Sequence, residues 1–357
     1  MKKILIITSG LTAGGVESLL LNTIGESDPE EFKFTILSYY EAPYDWKYKF
    51  EEIGCEVILI HSPGTLGMVK SFKTFRSIIK KGEYDIIHCQ NGFEPFPLLA
   101  NLTVEGKRRY ICHSHFDNYP LPKWYKRIVR FIFHVVPCTK AACSYGAGYE
   151  VFGHNSKFIF LKNGIDSKKF AYNKVVRDEI MNELGLNSND FVVGTVGRMV
   201  YQKNHEFLIN TFKIVHDSIL SKLVLVGDGE LRDNIKKQVD ELGLSDSVYF
   251  LGKRNDVYRL LQGMDVFIMP TRFEGLSLAL LEVQASGLPC LTSDQVPKEA
   301  KVADNFEMLS LESGPSFWAE RALYYSKEER IDGSGFIEAA GFDKVSAAKA
   351  WLNIYRD

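Results

Sequence analysis

The sequence predicts two doubly wound α/β domains in tandem, and three observations carry that expectation. Short β-branched runs alternate with longer amphipathic ones, the pattern of parallel strands joined by helices. The alternation stops at a polar, basic stretch after Asp166 and then begins again. A chain of 357 residues, 45% of them hydrophobic, can bury more than one core.

The first series reads Lys3 to Thr8, Phe34 to Ser38, Val57 to Ile60, Asp85 to Cys89, Arg109 to His113 and Thr139 to Ser144 as strands. Val16 to Ile24, Met68 to Lys81 and Lys123 to His134 read as helices between them. The second series opens with Phe191 to Val196 and continues through Leu223 to Val226, Val248 to Leu251, Val266 to Met269 and Cys290 to Thr292. The boundary is therefore expected near residue 166, with domains at 1–166 and 167–340.

Composition removes several function classes. With 43 basic and 45 acidic residues, a net charge of -2 does not suit a protein that neutralises a nucleic-acid backbone. The six cysteines form no CxxC pair and no zinc-spaced set with histidine, so neither a metal site nor a disulfide framework is expected. Ile4-Leu5-Ile6-Ile7 ends at Thr8-Ser9-Gly10, too short for an export signal, and no run approaches the roughly 18 apolar residues of a membrane span. A cytoplasmic, reducing compartment is the expectation.

Tandem doubly wound domains imply a cleft where the carboxyl ends of both sheets face each other, and ligands bind beyond those ends. Four loops after strands carry unusual chemistry. Ser9 to Glu17 places Gly14 and Gly15 where backbone approaches a ligand and a helix begins. It lacks the spacing of a dinucleotide fold and the ending of a P-loop, and a plain tight turn is its other reading. Gly197 to His205 carries Arg198 and Lys203, a fork and a point charge suited to a diphosphate, or else a solvated basic turn.

The third loop is the most informative. After Met269-Pro270 it holds Glu274-Gly275, and Ser277 to Ser286 reads as one helix closed by Gly287 and Pro289. Glu274 precedes the helix and Glu282 lies within it, so the two hold opposite ends of one extended ligand rather than one proton. Backbone N–H groups from Gly275 through Leu276 to Ser277 suit phosphate oxygens between them. Glu282, set among Leu280, Leu281 and Val283, needs a partner such as a ribose diol if it is buried. An amphipathic helix with two solvated glutamates is the plainer alternative.

The setting P-T-x-F-E-G-L-S-L-x-L-L-E-x-Q-A-x-G-L-P from Pro270 to Pro289, two glutamates seven residues apart, resembles the E-x7-E signature of the retaining glycosyltransferases of family 4. Gly14 to Glu17, Asn163 to Asp166, Gly197 to Asn204 and Gly227 to Gly229 agree with that family in order, so the resemblance covers nearly the whole chain. It implies the GT-B fold, two Rossmann-like domains, with residues 341–357 as a helix packing back on the first through Trp351 and Tyr355.

The resemblance also implies roles. Arg198 and Lys203 grip the donor diphosphate and stabilise its charge as the glycosidic bond breaks. Glu274 contacts the transferred sugar, Glu282 the ribose, and Gly275, Leu276 and Ser277 close on the phosphates. Gly14 and Gly15 let the first domain approach the sugar and the phosphates, and Gly197 counts among the donor-binding residues. The fourth loop, Ile111 to Asp117, offers His115, which fits a sugar-contacting position better than His113. Retention of configuration comes from the resemblance alone, as do a UDP-sugar donor, hexosyl or N-acetylhexosaminyl transfer, and a saccharide or lipid-linked acceptor in capsule or exopolysaccharide synthesis. No D-x-D occurs, and no metal or other cofactor is expected.

Residues 121–134 mix four cations with aromatic and aliphatic residues at helical spacing. Two readings are open, a core-facing helix with a solvated basic face or peripheral contact with the inner face of a membrane. Two rival functions share the donor, a nucleotide-sugar epimerase and a non-catalytic sugar-nucleotide-binding subunit. Intact Arg198, Lys203, Glu274 and Glu282 argue against the second. The segment from Gln295 to Asp304 departs from the family in lacking a glycine-rich turn.

Overall fold

The computed structural model describes residues 1–11, 15–39, 46–115, 121–328 and 330–356, with backbone alone at 63 and 65. The chain divides into two compact units, Met1–Gly164 together with Lys344–Asp357, and Ile165–Asp343. The break at Gly164 lies inside the Asn163-Gly164-Ile165-Asp166 turn.

Among its described residues the first unit has a seven-stranded sheet of β1 (Lys2–Thr8), β2 (Phe32–Tyr39), β3 (Glu56–Ile60), β4 (Ile86–Cys89), β5 (Arg109–Ser114), β6 (Thr139–Ala142) and β7 (Ile159–Phe160). The order is β3-β2-β1-β4-β5-β6-β7 with parallel neighbours throughout. β1 shows why the strand is central. Ile4 and Ile6 enter one apolar core with Leu19, Phe34 and Ile36, while Leu5 and Ile7 enter the opposite core with Phe75, Ile87 and Cys89. Alternate side chains leave a strand on opposite faces, so a strand covered on both sides reads as a continuous apolar run.

The last helix, Lys344–Arg356, belongs to this unit and buries Trp351, Leu352 and Tyr355 in the first of those cores. Lys2 Nζ donates to the carbonyls of Tyr355 and Arg356 at 2.7 and 2.8 Å, placing a cation on unsatisfied carbonyls at the helix end.

The second unit carries a six-stranded sheet of β8 (Phe191–Val196), β9 (Ser221–Val226), β10 (Val248–Gly252), β11 (Val266–Met269), β12 (Cys290–Ser293) and β13 (Phe306–Leu309) among its described residues. Its order is β10-β9-β8-β11-β12-β13, again all parallel. Strand order therefore reverses between β8 and β11, and the loops following these two strands open beside each other.

Three local differences from the sequence expectation have physical reasons. β7 and β13 were not among the expected strands: one has two residues, and the other, Phe306–Leu309, has no β-branched residue. β6 stops at Ala142 because Ser144 caps the next helix, its hydroxyl accepting from Ala147 N–H at 3.0 Å. The helix expected over Ser277 to Ser286 spans Leu278–Ala285, the two serines being its caps. All six cysteines are free thiols.

Candidate functional site

The second unit builds a site at its switch point. After β8 the chain runs through Gly197 and Arg198, whose segment is held backbone to backbone against the loop after β9. Met199 N–H donates to Asp228 C=O at 3.0 Å, and Leu231 N–H to Met199 C=O at 2.9 Å. Gly227 has φ 135°, and a Cβ there would lie 2.0 Å from the Gly197 carbonyl oxygen; at Gly229 one would lie 2.5 Å from that of Met199. No side chain fits at either position without moving backbone.

Arg198 is exposed, and its guanidinium pairs with no carboxylate among the described residues. Lys203 closes the same loop, followed by Asn204 in the left-handed region (φ 56°) as the His205–Ser218 helix begins. Lys203 Nζ donates to Glu274 Oε2, and each side chain keeps only 13% of its exposure.

Glu274 comes from the loop after β11, which is stapled to the Lys203 loop. Thr271 Oγ1 donates to the carbonyls of Gln202 (3.0 Å) and Phe273 (2.9 Å), Gln202 Nε2 donates to Phe273 C=O (2.9 Å), and Arg272 N–H donates to Gln202 C=O (2.8 Å). These bonds fix the two loops before any ligand arrives, the condition for electrostatic preorganisation. Gly275 and Leu276 are buried, and Ser277 is half-buried at the start of the helix. Ser277 makes no side-chain cap, so the N–H groups of the first turn are left for an anion.

Glu282 lies one turn from the end of that helix and is partly buried. Burial pushes its carboxyl up to about 7, against the opposing pull of the Lys169 ammonium. Lys169 is itself placed by the Asn-Gly-Ile-Asp turn, since Asp166 Oδ1 accepts from its backbone N–H at 3.3 Å. Gln284, two residues beyond Glu282 and fully buried, uses its whole amide: Nε2 donates to Leu280 and Ala300 carbonyls at 2.8 Å, and Oε1 accepts from Val302 (2.9 Å) and Ala303 (3.0 Å). The segment that lacks the family's glycine-rich turn is thus shaped from the helix.

In the first unit, Gly14 lies outside the described residues, and Gly15 opens the Gly15–Gly25 helix. Glu17 in its first turn is buried, accepts from Thr8 Oγ1 at 3.4 Å, and is pushed up to about 7 by burial. His115 follows β5, buried, with Nε2 2.6 Å from Gln90 Oε1 at the end of β4. Burial lowers its pKa to about 3, so it acts as a neutral hydrogen-bonding ring. His113, two residues earlier, has neither ring nitrogen hydrogen-bonded among the described residues and packs 4.7 Å from the Trp351 ring. Its role is packing.

The structure therefore brings Gly197, Lys203, Glu274, Gly275, Leu276 and Ser277 into adjoining loops and sets Glu282 on the helix they lead into. Arg198 shares the first of these loops, while Gly15 and His115 belong to the other unit. Sequence reasoning missed Gln90, Lys169, Gln202, Thr271 and Gln284. Only Gln284 had a signal, an amide in an apolar helix, where a buried polar group demands partners.

Residues 176–318 match the family model of the glycosyl transferases group 1. A putative glycosyltransferase EpsF of Bacillus subtilis (strain 168) is 29% identical over 369 aligned positions, covering 99% of this chain and 96% of that protein. An Escherichia coli UDP-Gal:alpha-D-GlcNAc-diphosphoundecaprenol alpha-1,3-galactosyltransferase is 29% identical across 68% of this chain and 66% of its own. Among solved structures, Anabaena Alr3699/HepE in complex with UDP and glucose superposes with a TM-score of 0.82 at 18% identity, covering both chains in full.

Proposed function

We infer that this chain, whose two doubly wound units have the GT-B fold and whose second unit matches the glycosyl transferases group 1, is a retaining glycosyltransferase of polysaccharide or glycoconjugate synthesis. The donor is a UDP-sugar carrying a hexosyl or N-acetylhexosaminyl group, and the acceptor is a saccharide carried on a lipid. The observation that carries this reading is the Lys203–Glu274 pair, which joins the loop carrying Arg198 to the loop that leads into an uncapped helix N-terminus, where strand order reverses.

The chemistry follows from those groups. As the bond from the anomeric carbon to the diphosphate oxygen breaks, negative charge grows on the leaving group. Arg198 supplies a bidentate fork, Lys203 a point charge, and the first turn of the Leu278–Ala285 helix oriented N–H groups. This set supports a metal-independent reaction. Donor binding exchanges the partner of Lys203: the ammonium moves from Glu274 to phosphate, and Glu274 is released to accept from sugar hydroxyls. Glu282 takes the ribose diol. The choice of UDP draws support from the UDP-bound neighbour, and the lipid-linked acceptor from the diphosphoundecaprenol in the relative's name.

Calorimetric titration of UDP, GDP and their sugars in EDTA tests the donor site. One nucleotide sugar is expected to bind without metal, and Glu282→Ala to weaken it by at least about tenfold, the worth of hydrogen bonds to a charged group. Failure of every nucleotide to bind would sink the transferase reading. Slow release of free nucleoside diphosphate then separates a transferase from an epimerase or a silent binding subunit.

The raised carboxyl of Glu282 adds a pH signature. Hydroxyl donors favour its ionised form, so nucleotide-sugar affinity should rise as pH increases through about 7, with a proton released on binding. Glu282→Gln should flatten that dependence; an unchanged slope in the variant would assign the proton to another group.

A further inference from the structure

The Lys123–Val135 helix has more apolar surface than its core can cover. Val129 and Phe133 are buried among Phe75, Ile79 and Leu98, with Tyr125, Ile132 and Val136 packed beside them. A second apolar stripe, Trp124, Ile128, Phe131 and Val135, follows the same helical spacing and points to solvent, at 64, 51, 65 and 53% exposure. The expectation of a core-facing helix with a solvated basic face is therefore incomplete, because the solvent side is itself largely apolar. Large exposed side chains scattered singly need no explanation; four in one line along three turns of helix do.

The cations are divided between two tasks. Lys126 and Arg130 converge on Glu150, at 2.5 and 3.3 Å, and tie the helix to its neighbour Tyr145–Phe152. Lys123 and Arg127 are exposed and form no ion pair among the described residues. With Arg130 and His134 they occupy the helical row next to the apolar stripe, on the side away from the core-facing row. No Asp or Glu occurs from residue 121 to 144. Among the described residues no helix is long and apolar enough to cross a membrane, so any lipid contact made here is made from one side.

We propose that the Trp124, Ile128, Phe131 and Val135 face docks in the plane of an anionic lipid bilayer, with Lys123 and Arg127 over the head groups. The charge pattern favours lipid over a second copy of the chain, since a two-fold contact presents the same helix face from both sides and that helix carries no carboxylate to meet its cations. An apolar face rimmed by cations and carrying a tryptophan is the chemistry of an interfacial helix. The proposal deepens the lipid-linked acceptor reading and rests on it for its purpose, bringing the enzyme to the surface where such an acceptor is held.

Co-sedimentation of the full chain with vesicles, without nucleotide or acceptor, tests it. Binding is expected to phosphatidylcholine vesicles containing phosphatidylglycerol and to be much weaker without the anionic lipid. Trp124→Ser combined with Phe131→Ser should lower partitioning at least about tenfold, and Lys123→Ser combined with Arg127→Ser should lower it on anionic vesicles only. Circular dichroism checks that the variants fold, and their nucleotide affinity should match the parent's. Equal partitioning of parent and Trp124/Phe131 variant, or none by the parent, overturns the proposal. So does sedimentation of the parent as a dimer that the same variant dissociates. Because no sugar nucleotide is present, failure here leaves the donor site standing, and a chain that binds vesicles but no nucleotide fails only as a transferase.

Discussion

Replacing Arg198 by alanine is expected to slow release of nucleoside diphosphate from the donor by about two to three orders of magnitude, the usual effect of removing one preorganised donor to a developing negative charge. Its neighbours lead to this size of effect. Lys203 is neutralised by Glu274 in the free protein, whereas Arg198 has no carboxylate partner among the described residues. Its charge is available at once, on a loop that Gly227 and Gly229 hold without slack. Because the interaction strengthens as charge leaves the sugar, kcat should fall more than donor affinity. Arg198→Lys should recover only part of the rate, since a point charge cannot bond two oxygens in one plane. Single-turnover release from the donor identified by calorimetry provides the measurement. A variant with the parent's rate would remove Arg198 from the reaction.

The second large effect is on stability. Trp351→Ala should cost about 3–5 kcal/mol, the range for truncating a large aromatic in a close-packed core. The indole is 1% exposed, its Nε1–H donates to Lys162 C=O at 3.4 Å, and its ring lies 5.2 and 4.7 Å from those of His88 and His113. The loss therefore includes the cover over two rings held neutral by burial, His88 lowered to about 3 and His113 well below its ordinary value. Water admitted there would let both protonate in the folded variant and bring their pKa values back toward the unfolded ones. The deficit should therefore shrink as pH falls below the ordinary histidine range, where the parent, holding both rings neutral, loses stability and the variant does not. Urea unfolding followed by circular dichroism at two pH values measures both parts. An unchanged midpoint would show that the last helix does not hold this unit together.

Strands such as β1 and β11 could be read in the sequence because covered parallel strands are apolar runs bounded by turn residues, and the restart of that rhythm marked a second sheet. Edge strands escaped where rhythm was absent, as in Phe306–Leu309. The site was legible as residue types after strands, but its pairing was not. Lys203 and Glu274 stand 71 positions apart, and only the reversal of strand order between β8 and β11 brings their loops together. The two roles of the Lys123–Val135 helix were equally hidden. Periodicity marked its apolar residues, but burial alone tells which of its rows the core takes up.

Gln284 leaves an evolutionary opening. Its amide reaches the segment from Ala300 to Ala303 only through backbone groups, two N–H donors and one carbonyl, so the path of that segment needs no hydrogen bond from its own side chains. Ala300 and Ala303 are buried and leave no room for larger side chains, but mutations can accumulate at exposed Lys301 and half-buried Val302 under an unchanged backbone, whereas Gln284 itself has almost no tolerated substitute. Variation between descendants of such a chain should concentrate in the one place and be silent in the other.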